Sequence, residues 1–400
     1  MAQPLSRSPN ARREWSFQLI ACRQLETWRP ETSNFLWRLN MAMKKLTLLL
    51  AVMTLASCSF LNPPPFDEGR WRAQVESARP DLLEAPNIRD GRYFNPWTDA
   101  PHGGFLRFLR WRLTPRDEYT SEEESFKPAF VGGLKERVES MPDGDFVAWL
   151  GHGSYLLRLD GDYWLLDPML SERALLPKRH TPPALTLEEL RSLSGTFHVI
   201  LSHNHYDHLD KATLEALPPG TQRIYAPLGL GEYLREITGK QTVEMDWWQT
   251  LDLGNGVQLV CLPAQHWSRR IGQARNATLW ASFLIITPER KVYFGGDSGY
   301  FIGYREIGRR YPGIDVALLP LTAYHPRWFM HYAHMNAPEV LHALEDLGAR
   351  TMIPTQWGTF RLGNEPIGYP ILDLRREITA RALDGSRVVV MDIGEIKSME

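Results

Sequence analysis

The chain has 400 residues, of which 43% are hydrophobic and 23% are charged, and its formal net charge is −2. A chain of this composition can bury a full hydrophobic core, while its near-neutral charge provides no basic surface of the kind that binds nucleic acid. Its three cysteines, Cys22, Cys58 and Cys261, are too few and too scattered for a disulfide framework. We therefore expect one folded domain with an N-terminal lead-in.

Residues 43–57 have the order of parts of a secretory signal: a basic start, a short apolar run and small residues before Cys58. The apolar run is shorter than the about 20 residues that span a membrane. The tetrapeptide ending at Cys58 resembles a bacterial lipobox, whose cysteine is lipidated, and Ser59 after it implies sorting to the outer membrane. We predict a lipoprotein signal peptide over 43–57 and lipidation of Cys58, which makes residues 1–42 a non-native upstream extension. The alternative is a buried apolar helix with a cysteine by chance.

The region after the signal is divided by composition. Residues 58–66 hold the cysteine and a proline-rich stretch, which predicts a stiff tether. Residues 67–140 are rich in proline, arginine and aromatic residues with little periodicity, and predict an irregular wrap with short helices near 104–112 and 130–140. The main domain is therefore expected over 141–400.

From residue 146 the apolar pattern indicates strands that first form hairpins and then alternate with helices. The predicted strands are 146–150, 155–159, 163–166, 197–200, 223–226, 242–246, 257–262, 281–287, 291–294, 315–319, 351–354 and 387–392. The predicted helices are 211–217, 230–237, 304–310, 338–347 and 372–383. This order predicts an α/β fold of the αββα class, with two packed mixed β-sheets flanked by helices.

The segment His203-Asn204-His205-Tyr206-Asp207-His208 follows the predicted buried strand 197–200. In an extended segment His203 and His205 project to the same side and can bind one metal ion. Asp207 and His208 lie just past the strand, where a turn can bring them to a second ion. Imidazole nitrogen and carboxylate oxygen suit zinc, with iron or manganese as alternatives. A polar loop with incidental histidines is a much weaker explanation of this pattern.

Two further candidate ligands also lie where strands run into loops. His266 follows strand 257–262, and Asp297 lies between glycines after strand 291–294. Together with the histidine-rich segment, they form a set of the right size for two metal ions bridged by Asp297. His152, in the loop between the first two strands, has either a structural role or a contact with the substrate.

Between about residue 90 and residue 397 the chain resembles the metallo-β-lactamase fold, and within it the N-acylphosphatidylethanolamine-hydrolysing phospholipase D family. The motif that contains the histidine-rich segment identifies only the superfamily, whereas the Asp-Trp-Trp, Gln-His-Trp and Pro-Arg-Trp-Phe-Met blocks are far more specific. The resemblance rests on Asp90–Trp97, Trp149–His152, Ser202–Asp210, Pro227–Leu230, Asp246–Trp248, Gln265–Trp267, Gly296–Tyr300, Pro326–Met330 and Trp357–Phe360.

The resemblance implies two zinc ions per chain. One would be bound by His203, His205 and His266 and the other by Asp207 and His208, with Asp297 as the bridge and with Asp207 and Asp297 as catalytic residues.

Gln356 stands where the family has its last histidine ligand. A glutamine is a neutral and weaker zinc ligand, so the second site is weakened, is tuned to a harder metal, or is completed by another histidine. His325 is a candidate for that substitution, and the alternative is that it is an ordinary surface histidine.

The function that the resemblance implies is hydrolysis of N-acylphosphatidylethanolamine to an N-acylethanolamine and phosphatidic acid by a metal-bound hydroxide. A lipid anchor would hold such an enzyme at its phospholipid, so the expected partners are the phospholipid substrate and the membrane, and an oligomer stays possible. The alternatives are a lactonase or small-metabolite phosphodiesterase of the same fold, or an envelope protein with an impaired metal site.

Overall fold

The computed structural model describes residues 37–45, 47, 63–100 and 104–399. The backbone divides into two units, residues 1–62 and residues 63–400. In the first unit, residues 37–45 and 47 are helical. Most of the predicted signal peptide lies outside the described residues, and so does Cys58. A search of the described part of the chain finds no helix with the length and apolar character that crossing a membrane requires.

Two mixed β-sheets form the centre of the second unit. The seven-stranded sheet contains, in spatial order, Ile396–Ser398, Phe146–Gly151, Ser154–Leu159, Asp162–Leu166, Phe197–Ile200, Thr221–Pro227 and Thr242–Met245. The six-stranded sheet contains Thr351–Thr355, Val316–Pro320, Lys291–Phe294, Ser282–Ile286, Val257–Leu262 and Thr250–Gly254. A separate two-stranded ribbon pairs Ile88–Arg89 with Arg92–Tyr93.

The sheets are covered by helices, three of which begin with a capping box. For example, Asn336 and Glu339 form a capping box at the start of the longest buried helix, which ends before Gly348 in the left-handed conformation. The helices are Glu68–Glu76, Gly104–Leu113, Ser121–Ser125, Leu134–Glu139, Leu187–Ser192, Lys211–Glu215, Gly231–Thr238, Gly303–Arg310, Arg327–Met330, Ala337–Leu347 and Tyr369–Ala380. Short 3₁₀ turns cover Pro80–Glu84 and Gly385–Arg387.

The predicted αββα architecture is confirmed. Strands Phe146–Gly151 and Ser154–Leu159 are buried at every position, which requires a layer of structure on each face of their sheet. Asp160 and Gly161 have φ angles of 52° and 86° and form the predicted hairpin turn after the second of these strands.

The strand predicted over 387–392 is wrong. Val388 makes a single bridge to Met352, and the Asp392 carboxylate accepts a hydrogen bond from the backbone N–H of Ala129 at 2.8 Å. This segment therefore interacts with a loop of the N-terminal region instead of extending a sheet. The last strand is Ile396–Ser398, which pairs antiparallel with Phe146–Gly151.

Several elements have no counterpart among the predicted ones, and two of them show why. Strand Thr250–Gly254 lies at the edge of its sheet and alternates exposed and half-buried positions, so its apolar signal is weak. Helix Glu68–Glu76 buries only Trp71 and Val75, so it lacks the continuous apolar stripe from which helices are recognised.

Candidate metal centre

Each group of predicted site residues lies in the loop that directly follows a strand, and the structure brings these loops together. Glycine makes one of these approaches possible. Gly296 has a φ of 55°, and a Cβ atom at this position would lie 2.5 Å from the Cβ of Ser202. Only glycine therefore allows the loop to place the next residue, Asp297, against the histidine-rich segment.

Three imidazole nitrogens converge in the first cluster. His205 Nδ1 lies 2.8 Å from His203 Nε2 and 3.2 Å from His266 Nε2. Asp297 Oδ2 completes the set, 3.7 Å from His203 Nε2 and 3.4 Å from His266 Nε2. Ligand atoms around a tetrahedral zinc ion lie on the order of 3.3 Å apart, so this donor set has the size and the chemistry that zinc requires.

A second cluster lies on the other side of the same carboxylate. His208 Nε2 is 3.2 Å from Asp297 Oδ1 and 3.4 Å from Asp207 Oδ2. This nitrogen is buried and makes no hydrogen bond within the described chain. Asp297 thus presents one oxygen to each cluster, in the manner of a bridging ligand.

Buried hydrogen bonds behind the clusters decide which nitrogens carry protons. Asp167 Oδ2 accepts from His208 Nδ1 at 2.6 Å and from the Ser202 hydroxyl at 2.5 Å. Because the Ser202 proton is used in this way, Ser202 Oγ accepts from His203 Nδ1 at 2.9 Å. In neutral His203 and His208, the Nε2 lone pair therefore points into the centre.

His266 is oriented in the same way, because its Nδ1 donates to the backbone carbonyl of Ala333 at 3.2 Å. Burial lowers the pKa of His205 to about 4 and holds the pKa of His203 and His266 well below the ordinary imidazole value. These three rings are neutral at pH 7, which is the form that binds a metal ion.

Gln356 contacts the bridging carboxylate directly. Its Nε2 donates to Asp297 Oδ1 at 2.5 Å and to the backbone carbonyl of Gly296 at 2.9 Å. A carbonyl oxygen can only accept, so the second contact fixes the nitrogen side of the amide toward Asp297. The Gln356 Oε1 atom is buried and has no hydrogen-bond partner among the described residues.

His325 does not take the place of the missing histidine. Its Nδ1 lies 2.8 Å from the hydroxyl of Tyr119, and its ring packs against Tyr324 and Tyr369. None of the potential metal clusters in the described chain includes it. The hypothesis that His325 completes the second cluster is therefore wrong, because its loop turns the ring into an aromatic pocket.

His152 and Asp167 support the clusters from behind. His152 Nε2 lies 3.0 Å from Asp207 Oδ2, and its Nδ1 lies 3.1 Å from the backbone carbonyl of Gln356. His152 also belongs to a group of potential metal donors with Asp207 and His208. Because both of its nitrogens already contact protein acceptors, we interpret it as a positioning residue, a role that the sequence leaves open. Asp167 is absent from the predicted site. It directly follows the strand Asp162–Leu166, just as the predicted ligands follow their strands, and this position is the signal by which the sequence could have identified it.

A cavity of about 560 Å³ opens above the two clusters. Its floor includes His205, Asp207 and Asp297. His334 also borders the cavity, and its Nδ1 has no hydrogen-bond partner in the part of the chain that the structure describes. The donor clusters are thus accessible from one side to a molecule of moderate size.

Comparisons with known proteins identify similar chains. Residues 163–357 match the family described as a beta-lactamase superfamily domain. An N-acyl-phosphatidylethanolamine-hydrolyzing phospholipase D of Caenorhabditis elegans is 32% identical over 337 residues, which are 78% of this chain and 94% of the relative. Outer membrane protein RomA of Klebsiella pneumoniae is 43% identical over 97 residues, which are 24% of this chain and 71% of that protein.

The fold is also found among solved structures. Igni18, a metallo hydrolase from the archaeon Ignicoccus hospitalis, superposes with a TM-score of 0.51 and 22% sequence identity. The match covers 64% of this chain and 98% of Igni18, so the two proteins share the fold of the two-sheet domain.

Proposed function

Because this chain belongs to the metallo-β-lactamase superfamily, and within it to the family of N-acylphosphatidylethanolamine-hydrolysing phospholipases D, we propose that it is a phospholipase D. It is a metal-dependent hydrolase with clusters of histidine and aspartate. The proposed reaction converts N-acylphosphatidylethanolamine and water into an N-acylethanolamine and phosphatidic acid.

The observation that carries this proposal is the cavity above the clusters, since its walls suit a phospholipid. Phe105, Phe108 and Met330 provide apolar surface for acyl chains. Arg269 and Arg275 line the same cavity and provide positive charge for the phosphodiester. A hydrolase for small polar metabolites has little use for this combination.

We assign the metal ligands as the geometry suggests. His203, His205 and His266 would bind the first ion, Asp207 and His208 the second, and Asp297 both. The nitrogen and oxygen donors fit zinc. Metal ions held by these residues would supply Lewis acidity, which lowers the pKa of water and offsets charge on the phosphoryl oxygens.

The remaining steps belong to the side chains. Arg269 and Arg275 hold the phosphodiester over the clusters, and Asp207, fixed by His152, orients the attacking water. A bond forms between the water oxygen and phosphorus, and the bond from phosphorus to the ethanolamine oxygen breaks. The proton lost by water ends on that oxygen, and His334 is placed to hydrogen-bond to the reacting phosphoryl group.

The test uses the purified full chain with zinc and N-acylphosphatidylethanolamine in mixed micelles. Hydrolysis in ¹⁸O-labelled water should release an unlabelled N-acylethanolamine and phosphatidic acid with one labelled phosphate oxygen. Label in a fatty acid, or no release at all, would contradict the proposal. Turnover of a water-soluble diester or a lactone without any turnover of the phospholipid would favour the small-metabolite alternative.

We also propose that the protein acts at the bacterial cell envelope as an outer membrane lipoprotein. The signal-like segment over residues 43–57, followed by Cys58, supports this proposal. The similarity to RomA supports the envelope assignment. Growth with a labelled fatty acid should label the chain but not the Cys58→Ser variant. Equal labelling of both chains, or recovery of the parent in the cytoplasmic fraction, would contradict this localisation.

A further inference from the structure

The helix Gly104–Leu113, here called the mouth helix, exposes most of its apolar side chains. Phe105 is 73% exposed, Leu106 is 67% exposed and Leu113 is 55% exposed. A helix on the surface of a globular protein ordinarily turns its apolar side chains toward the core. The mouth helix does the opposite, so we expect a binding partner to cover its exposed apolar face.

The attachment of the mouth helix shows which side is outward. Arg107 donates to the backbone carbonyl of Trp328 at 2.8 Å. Trp111, one turn further along, donates to Asn364 at 3.0 Å and stacks on Phe329 with ring centroids 4.9 Å apart. At about 100° per residue, an arc of roughly 100° on the other side of the helix holds Phe105, Leu106, Leu109 and Leu113.

Arginines border this apolar arc. On the helix circumference Arg112 lies beside Phe105 and Arg110 lies beside Leu106. The sequence of the mouth helix contains no acidic residue. The Arg110 guanidinium lies over the ring of Trp328, 5.2 Å from its centroid, and the Arg112 guanidinium lies over Trp111 at 5.6 Å. An apolar stripe bordered by cationic side chains is typical of helices that lie in the interface of an anionic membrane.

More exposed apolar residues border the neighbouring opening. A second cavity, of about 520 Å³, shares His205, Asp207 and Trp267 with the cavity above the clusters. Ile271 lines this second cavity and is 75% exposed, and Leu176, next to the lining residue Leu175, is 78% exposed. The two openings above the metal centre are therefore bordered by apolar side chains that face solvent.

We propose that the mouth helix, together with Leu176 and Ile271, is a docking surface for an anionic phospholipid bilayer. This inference rests on the proposed function and names the surface from which the substrate would enter. Charge complementarity favours a bilayer over a second copy of the chain, because self-association through this face would bring the arginines of two mouth helices together. An interfacial helix sinks about 5–10 Å into the headgroup region, which would place the openings at the level of the phosphodiester.

The experiment places a fluorophore on the mouth helix of the full chain. Cys22 and Cys58 are replaced by serine, and Leu106→Cys is labelled with an environment-sensitive nitrobenzoxadiazole; Cys261 is buried and should not react. The matched control carries the label at Phe130→Cys, because Phe130 is also 50% exposed but borders neither of the two cavities. Each protein is mixed with vesicles of phosphatidylcholine alone or with phosphatidylglycerol.

A blue shift of the label at position 106 with phosphatidylglycerol vesicles, and none at position 130, is the expected result. The proposal is overturned if the protein sediments with these vesicles while the label at 106 does not shift, since another segment would then be the anchor. A shift that is equal without phosphatidylglycerol contradicts the anionic partner. A shift that grows with protein concentration in the absence of vesicles means that a second copy covers the face.

A second variant separates docking from chemistry. Replacing Leu106 and Leu113 together by serine should lower hydrolysis of vesicle-embedded phospholipid by roughly ten-fold or more, because two apolar side chains that do not line the cavity no longer enter the membrane. Hydrolysis of a short-chain substrate in solution should be unchanged. A label shift without any phospholipid hydrolysis would contradict the proposed function but support the docking surface. Phospholipid hydrolysis without a label shift would support the proposed function but contradict the docking surface.

Discussion

The two proposed metal subsites are built from the same kind of strand-end loop, yet they hold different numbers of protein donors. The first has three imidazoles and shares Asp297. The second has His208 and Asp207 and shares the same carboxylate, while Gln356 uses its amide nitrogen to hold Asp297. We therefore expect the first subsite to be the strong half of a two-metal centre and the second subsite, which lacks the last imidazole, to be its weak half.

Asp297→Asn should have the largest effect, because it should weaken zinc binding at both subsites. The amide loses the negative charge that each ion shares, so turnover should fall by roughly a thousand-fold or more, equal to about 4 kcal/mol of barrier. Metal content per chain, measured by mass spectrometry, should fall in parallel. Asp143→Asn, at an exposed position, is the matched control. Full metal content with full turnover in the variant would rule out the bridge.

Asp167→Asn should widen the difference in zinc affinity between the two subsites. Asp167 contacts His208 Nδ1 directly but reaches His203 only through Ser202. An amide at this position disturbs the His208 tautomer, so the second subsite should bind zinc roughly a hundred-fold more weakly and the first much less so. Calorimetric zinc titration measures both. The control is Asp162→Asn. Asp162 begins the strand that directly precedes Asp167, and its carboxylate contacts His198 instead of a proposed ligand. Identical losses at the two subsites would contradict this account.

Gln356→His should narrow the difference in zinc affinity between the two subsites. Gln356 has a φ of 72°, and histidine is among the residues that tolerate this conformation. The imidazole would add a donor, so the second ion should bind roughly ten-fold more tightly or better. During graded chelation the parent should release one ion early, whereas the variant should release both together. Gln222→His, an exposed position, controls for an added histidine. If the parent binds two ions with equal affinity, the second subsite is not the weaker one and this prediction is wrong.

Ser202→Ala should have the smallest effect and should act on the first subsite. The hydroxyl links Asp167 Oδ2 to His203 Nδ1. Its loss leaves the ring without its orienting partner, at a cost on the order of 1 kcal/mol, or several-fold in zinc affinity. Ser282→Ala removes a buried hydroxyl that donates to the Pro263 carbonyl instead. A larger loss at the second subsite than at the first would show that the hydroxyl has a different role.

The sequence predicts the parts of the centre that depend on local pattern. His203, His205, Asp207 and His208 follow a short apolar strand, and the period of a strand is enough to place the first two on one side. The αββα fold follows in the same way from the alternation of strands and helices. The strand assigned to 387–392 fails because the segment makes only one bridge to the sheet, and its Asp392 carboxylate accepts a hydrogen bond from the backbone of Ala129, 263 residues away. No local pattern reveals this contact.

The supporting residues could not be predicted for a related reason. Asp167 and His208 are far apart in sequence, and their hydrogen bond exists only because two strands pair in parallel. The same holds for Gln356, whose contact with Asp297 depends on the packing of the six-stranded sheet. His325 has the right chemistry for a ligand, but its position against Tyr119 is a product of tertiary packing.

The carboxylate of Asp167 has one further consequence. Because it accepts hydrogen bonds from both His208 and Ser202, a change in charge at one end alters the hydrogen bond at the other. Filling one subsite should therefore alter the affinity of its neighbour, and by thermodynamic reciprocity the second ion should act on the first by the same factor. We therefore expect metal uptake by this chain to be cooperative, so that the affinity of each subsite for its ion depends on whether the other subsite is filled.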